Sequence, residues 1–488
     1  MGQTTSDQAR RAARALVLPL ALAQFVASYA ASNMNVAISE IAKDLDTTVI
    51  GLQTTITLFT LTMAALMIPG SKLSDIWGRK RCFLLGLIVY GTGATLALLA
   101  QGLPLLMVGY SLLEGVGSAL MIPPIYILVT VSFDDLKTRA RYFGVVSGAA
   151  GLGAAAGPLI GGLITSAIDW RASFLAQVLL VAWIILLARK IPESRPATRP
   201  SFDGLGAVLS GVGLAFVVMG FLSTSTYGWG ASRTDFSVGD TVLIPEGSPA
   251  LVWYLLALGA LFLVGFYLHV RSREQAGKDP LLHTRLFRNR TANLGLGTQM
   301  VQWLTLQGAF FVVSVFLQQM KGYSPIQTGL MLTPATLGIL LSSARAERFA
   351  QRRSQRWLIV AGFLVTSLGM GLLLALVRED SGIWTYVPGL LLICIGIGAM
   401  LTSSVNVVQS AFPEQDQGDI SGLSRSVSNL GSSLGTALAG SVLVAAAVPG
   451  GTPFALALVT MLVISLLGLL VAYLLPRAPA PVRAETPV

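Results

Sequence analysis

The sequence predicts an all-α polytopic membrane protein whose chain crosses the bilayer fourteen times. Three observations carry that expectation. Of 488 residues, 53% are hydrophobic and only 11% charged, against about 25% charged in a soluble domain. Continuously apolar runs of about 20 residues, the length that crosses the hydrocarbon slab, recur along the whole chain. The basic residues fall between those runs, on alternate sides.

The runs cover 14–36, 49–69, 82–101, 104–130, 142–166, 172–188, 204–222, 250–270, 292–317, 326–343, 357–377, 386–409, 425–447 and 453–475. They are numbered here as spans 1 to 14. Their unbroken apolarity argues against a β-barrel, whose strands alternate. Residues 1–13 are polar and the first run is long enough to span, so no cleaved leader is expected. The loop at about 223–249 is rich in Gly, Ser, Thr and Asp and reads as a solvated surface loop. The tail 477–488, with its Pro and Ala, reads as disordered.

With residue 1 placed in the cytoplasm, 28 of the 33 lysines and arginines fall on the inner side. Only Lys43, Arg171, Arg233, Lys321 and Arg378 fall outside. This asymmetry puts both termini inside and demands an even number of spans. It also accounts for the net charge of +10 without nucleic acid as a partner. On this map no Lys or Arg lies deep within a span, Arg14 and Arg425 sitting at the inner ends of spans 1 and 13.

The two cysteines, Cys82 and Cys394, lie in apolar runs, and the two histidines are His269 and His283. A disulfide scaffold, a cysteine zinc site and an iron–sulfur cluster are thereby excluded, and a histidine metal site is disfavoured. No Walker A motif and no Gly-x-Ser-x-Gly elbow occurs. The chain is read as a non-enzyme with neither cofactor nor metal.

Between spans 2 and 3 the sequence is Gly70-Ser-Lys-Leu-Ser-Asp75-Ile-Trp-Gly78-Arg79-Lys80-Arg81. Gly70 permits close backbone approach and Gly78 a tight turn. Asp75 can pair with a basic side chain or a helix N-terminus. Span 5 carries Gly153-Ala-Ala-Ala-Gly157-Pro158-Leu-Ile-Gly161-Gly162. Its small residues let helices touch backbone to backbone, and Pro158 removes one helix hydrogen bond.

These two stretches resemble the loop signature and the antiporter motif of the major facilitator superfamily. Further matches extend the resemblance over nearly the whole chain: Asp203-Gly-Leu-Gly206, Tyr227-Gly-Trp-Gly230, the stretch from Gly322 to Gly329, Gly418, Gly422, and Asn429-Leu-Gly431-Ser-Ser-Leu-Gly435. Together they look like its fourteen-span drug:proton antiporter branch. The resemblance implies two six-helix bundles, 1–190 and 291–476, separated by 191–290 with two additional helices. It implies an inner gate of Gly70, Asp75, Gly78, Arg79 and Lys80, with Asp134 or Asp135 as partner for Arg79. A faint internal repeat, setting Glu347 against Asp75 and Arg352-Arg353 against Lys80-Arg81, agrees with two similar halves.

Glu114, in Tyr110-Ser-Leu-Leu-Glu114-Gly-Val-Gly117 of span 4, is the one carboxylate this map leaves well inside the bilayer. An ionised carboxylate there costs several kcal/mol, so it should face a cavity or be protonated. Such a group can load a proton on one side and release it on the other. The sequence departs from the family it resembles at two places. The Asp usual in span 1 aligns with Ala30, and the Arg usual in span 4 with Ser111. Any proton coupling then rests on Glu114 alone.

In this superfamily spans 1, 4, 9 and 12 line the cavity. Their polar or aromatic candidates here are Gln24, Asn33, Asn35, Tyr110, Gln299, Gln302, Trp303, Gln307, Ser404 and Asn406. A mostly apolar pocket with a few polar groups suits hydrophobic substrates. The expected function is secondary export of lipophilic or cationic compounds (multidrug efflux) from a bacterial plasma membrane in exchange for protons, by a chain that works as a monomer. A lipid or lipid-like substrate moved without proton coupling is the alternative. A non-transporting scaffold or receptor is the alternative of another class.

Overall fold

A computed structural model describes residues 2–133, 136–194, 201–238, 241–350, 354–378, 381–413, 416–445 and 452–476. Asp134, Asp135, Arg352, Arg353, the side chain of Glu347 and the tail 477–488 therefore lie outside the described residues. A helix stands at each of the fourteen expected spans. Spans 1 to 3 are Gly2–Asn33, Val49–Trp77 and Arg79–Leu98. Span 4 runs through Leu103–Leu106, Met107–Glu114 and Gly115–Ser132. Span 5 runs through Leu136–Ala156, Gly157–Gly161 and Gly162–Ala167. Spans 6, 7 and 8 are Trp170–Ala188, Gly204–Tyr227 and Leu251–Gln275.

Span 9 runs through Arg290–Val315 and Phe316–Met320. Spans 10 to 14 are Pro325–Ala350, Gln355–Leu376, Val387–Gln409, Gln417–Ala445 and Thr452–Tyr473. Among the described residues, 13 helices are long and apolar enough to cross a membrane. Span 10 is the remaining one. It has 26 residues, but its last turns are polar.

Helix starts follow side-chain caps. Thr48, Asp169, Asp203, Asn289 and Ser354 each accept a backbone N–H from the first turn of spans 2, 6, 7, 9 and 11. These caps satisfy donors that would otherwise be orphaned at the membrane boundary. Two expectations need correction. The loop after span 7 is not wholly irregular, because Phe236–Val238 and Thr241–Ile244 pair as an antiparallel hairpin. Arg425 is not at the end of span 13. That helix begins at Gln417, so Arg425 stands eight residues inside it. The Gly/Ser-rich stretch ahead of Arg425 is poor in apolar residues, yet its two, Ile420 and Leu423, are buried on one face of the helix.

Spans 1–6 and spans 9–14 form two bundles. In the first, span 1 lies on span 5, span 4 on spans 2 and 3, and span 6 on span 3. In the second, span 9 lies on spans 13, 14 and 12, and span 12 on spans 10 and 11. The bundles meet along span 2 against span 13 and span 5 against span 10. Spans 7 and 8 form a hairpin, and span 7 rests on spans 2 and 13.

The two halves repeat one packing device. Spans 3 and 4 touch through Gly86 with Gly117 and Gly93 with Gly109, where an added Cβ would come within 2.7 Å of the facing backbone oxygen. Spans 11 and 12 touch through Gly362 with Gly396 and Gly369 with Gly389. There the Cβ would stand 2.4 Å from the Gly362 carbonyl oxygen and 2.7 Å from that of Gly389. The similarity that was faint in the loops is plain in these helix pairs.

Candidate functional site

Glu114 closes a stretch of wide, π-type helix, Met107–Glu114. Such turns interrupt the regular ladder and recur at functional positions. Its side chain is fully buried, with the Tyr90 phenol as a polar neighbour of its carboxyl. It lies inside the first bundle, against span 3, where Gly93 leaves room for the Glu114 backbone. The phenols of Tyr90 and Tyr110 are buried in the same core. Tyr90 donates to Gln177 Oε1 at 2.5 Å. Tyr110 donates to the Ala30 carbonyl at 3.1 Å and stacks on Phe59 with ring centroids 4.5 Å apart. The Tyr110 hydroxyl is thus engaged elsewhere, while the Tyr90 phenol faces both Gln177 and the Glu114 carboxyl.

The loop motif is built as a joint. Span 2 ends at Trp77 and span 3 begins at Arg79. Gly78 alone makes the turn, at φ 104, a conformation that favours glycine. Gly70 sits where a Cβ would fall 2.3 Å from the Ala119 carbonyl oxygen of span 4. Arg79 stands 3.6 Å from Asp75 and donates to Ser194 Oγ at 3.0 Å. Lys80 Nζ donates to the Arg189 carbonyl at 2.8 Å. The cationic cluster therefore fastens to the segment after span 6. Sequence reasoning missed Lys72, which pairs with Asp419 of span 13 at 2.7 Å and ties one bundle to the other.

The glycines of span 5 serve two interfaces. A Cβ on Gly153, Gly157 or Gly161 would collide with Phe25, Ser32 or Asn33 of span 1. A Cβ on Gly162 would stand 2.5 Å from the Pro325 carbonyl oxygen of span 10, and one on Gly329 would stand 2.2 Å from that of Pro158. Pro158 lies in a wide turn, Gly157–Gly161, as expected where a residue lacks its N–H.

The cavity candidates divide. Gln299 and Gln302 accept from Ser424 and Ser404 at 2.7 and 3.0 Å, a polar seam joining spans 9, 12 and 13. Gln307 reaches the Ala31 carbonyl at 3.5 Å, across the bundles. Asn33 is buried against Gly161. The Asn35 carbonyl accepts from Gln318 Nε2 at 3.0 Å, a residue absent from the sequence-based set. Gln24 meets the Tyr126 hydroxyl at 3.4 Å. Trp303 is half-buried and Asn406 exposed. On the face away from the basic loops, Gln53 Nε2 reaches the Thr436 and Ala437 carbonyls at 3.3 and 3.2 Å. The Ile326 N–H donates to Ser166 Oγ at 2.9 Å. These contacts close that face between the bundles.

Two pseudo-equivalent helical bundles meeting at small-residue seams, with polar groups buried along the meeting line, define a multi-pass membrane transporter. The chain belongs to the Major Facilitator Superfamily, whose family model matches residues 20–287 and 294–488. Within it, the chain falls in the drug-efflux branch. It is 30% identical to the puromycin resistance protein pur8 of Streptomyces alboniger, over 84% of this chain and 77% of that one. It is 30% identical to the cephamycin export protein CmcT of Amycolatopsis lactamdurans, over 88% and 84%. It is 28% identical to a probable actinorhodin transporter of Streptomyces coelicolor, over 84% and 68%. Among solved structures, a peptide transporter POT in complex with sulfate superposes with a TM-score of 0.65 at 15% identity, covering 95% of each chain. The human organic anion transporter MFSD10 superposes with a TM-score of 0.58 at 16% identity, covering 94% of this chain and 99% of that one. These two likenesses concern the fold alone.

Proposed function

We propose that this chain exports lipophilic compounds across a bacterial plasma membrane by alternating access, in exchange for protons. The basic loops and both termini would face the cytoplasm. Residues 1–190 and 291–476 would rock against each other about the seams of spans 2 with 13 and 5 with 10. Residues 191–290 would add the hairpin. The carrying observation is Glu114: a fully buried carboxyl that meets the Tyr90 phenol and, among the described residues, no cation, in a helix that crosses the membrane. Such a group is expensive as an anion and cheap as an acid, and the balance turns on water access. Opening to the outer side would let it take up a proton, and opening to the inner side would let it release that proton there. The loop around Asp75 and Arg79 would gate the inner face, and Gly153 to Gly162 would set the sliding seams. The names of the relatives, among them antibiotic exporters and resistance proteins, support a small-molecule cargo.

The test is efflux from proteoliposomes under an imposed pH gradient. Wild type is expected to accelerate when protons can run down their gradient. Glu114→Gln is expected to transport without that acceleration. Undiminished gradient-driven transport by Glu114→Gln would refute the role. One observation favours an uncoupled carrier of lipid-like molecules as the second reading: neither Ala30 nor Ser111 supplies an ionisable partner near Glu114. Wild-type efflux indifferent to the proton gradient would select that reading.

A further inference from the structure

We infer that the route between the bundles recognises acidic amphiphiles, and that Arg425 is the group that binds their acid. This rests on the transporter reading above and specifies its substrate class. Arg425 stands eight residues past the start of span 13, about 12 Å into the helix at 1.5 Å per residue. Its guanidinium lies 4.7 Å from the centroid of the Tyr126 ring, and Nη2 donates to the Tyr126 hydroxyl. Tyr126 belongs to span 4, so this pair bridges the two bundles. No carboxylate lies within ion-pairing distance of Arg425 among the described residues.

Among the described residues this half-buried guanidinium meets a phenol and a π face, and an aromatic ring offers far less than a carboxylate. Its five donors suit a carboxylate or sulfonate in a two-point geometry. Glu114 cannot supply that anion. It stands twelve residues from Tyr126 along span 4, about 18 Å away at helical rise. Lys72 and Asp419 of the same seam offset one another, which leaves the charge of Arg425 unmatched among the described residues. It favours an acid and disfavours a cation.

The cleft beside Arg425, bounded by Ser71, Pro123, Tyr126, Ser421 and Gly422, has room for little more than a water molecule in this arrangement. A substrate enters only when spans 4 and 13 part. That motion breaks the Tyr126 contact and frees the guanidinium as the route opens. Tyr126 thus occupies the site until an acidic ligand replaces it.

The experiment uses one scaffold in three charge states: 1-pyrenebutyric acid, its methyl ester and 1-pyrenebutylamine. Binding to full-length protein in nanodiscs is read from energy transfer between tryptophan and pyrene, with empty discs as blank. Wild type is expected to bind the acid about tenfold more tightly than the ester, the size of a charge-assisted hydrogen bond. Arg425→Gln is expected to bring that ratio to about one, and Arg425→Lys to retain part of it. Each ratio is taken within one preparation, so a misfolded fraction cancels. A wild-type ratio near one, or an unaltered ratio in Arg425→Gln, overturns the inference. So does loss of the ratio in Tyr126→Phe, since the phenol would then be the reader. If the ester and amine bind and the acid does not, this inference alone falls. If none of the three binds or moves, the transporter reading falls with it.

Discussion

Lys72 Nζ stands 2.7 Å from an Asp419 carboxylate oxygen, joining the last turns of span 2 to the first turn of span 13. Both side chains are largely shielded, 14% and 15% exposed, so salt screens the pair less than it would a surface bridge. Lys72→Met and Asp419→Asn should each loosen the basic face. A cysteine introduced at Ser421 should then react several-fold faster with a thiol reagent, while the buried Cys82 and Cys394 stay silent. The double variant should react no faster than either single one, because the two changes remove one shared interaction.

On the opposite face the seal is Gln53, whose amide bridges two carbonyls of span 13. Gln53→Ala removes both hydrogen bonds, each with a net contribution of about 1 kcal/mol. The fraction of molecules open on that face should rise several-fold. Spin labels on spans 2 and 13 near that end should report a longer distance distribution than in wild type.

Gly329 tests the seam between spans 5 and 10. A methyl there would lie 2.2 Å from the Pro158 carbonyl oxygen, and a backbone atom has no rotamer by which to yield. Gly329→Ala should cost about 1–3 kcal/mol, seen as a lower melting temperature in detergent. Gly371→Ala, inside a helix and with open space around the added carbon, should not lower it.

Asp203 caps span 7 and is buried. It lies 2.9 Å from His269 and 3.7 Å from Arg273, and it accepts the Leu281 N–H at 3.2 Å. Burial pushes its carboxyl up. The Gly206 N–H, His269 and Arg273 together outweigh that and hold it below the usual carboxylate range. The stability it contributes is therefore present above that range and lost as pH falls through the lowered folded value. Asp203→Asn should destabilise by about 1–3 kcal/mol at neutral pH. In thermal unfolding the gap from wild type should narrow in strong acid.

Hydropathy and charge made the helices and their alternation legible, because membrane insertion reads the same quantities. Gly78 and the span 5 glycines were legible because close approach and positive φ demand one residue type. Arg425 was misplaced because a window that weighs apolar content sees Gly-Asp-Ile-Ser-Gly as a loop, although Ile420 and Leu423, three apart, are buried on one helix face. Lys72 was counted only as one more basic loop residue, since nothing local marks a partner more than three hundred positions away. The seclusion of Glu114 was equally invisible. A period of 3.6 says which face a side chain takes, not whether that face meets a cavity or the middle of its own bundle.

The hairpin of spans 7 and 8 has a consequence for how cargo arrives. It rests on spans 2 and 13, with Phe266, Val270 and Leu281 in one apolar cluster with Ile68, Ile420 and Leu423. Bilayer lipids are thus barred from that side of the groove between the bundles. On the other side of that groove, spans 5 and 10 carry no such cover among the described residues and meet at Gly162 with Pro325 and Gly329 with Pro158.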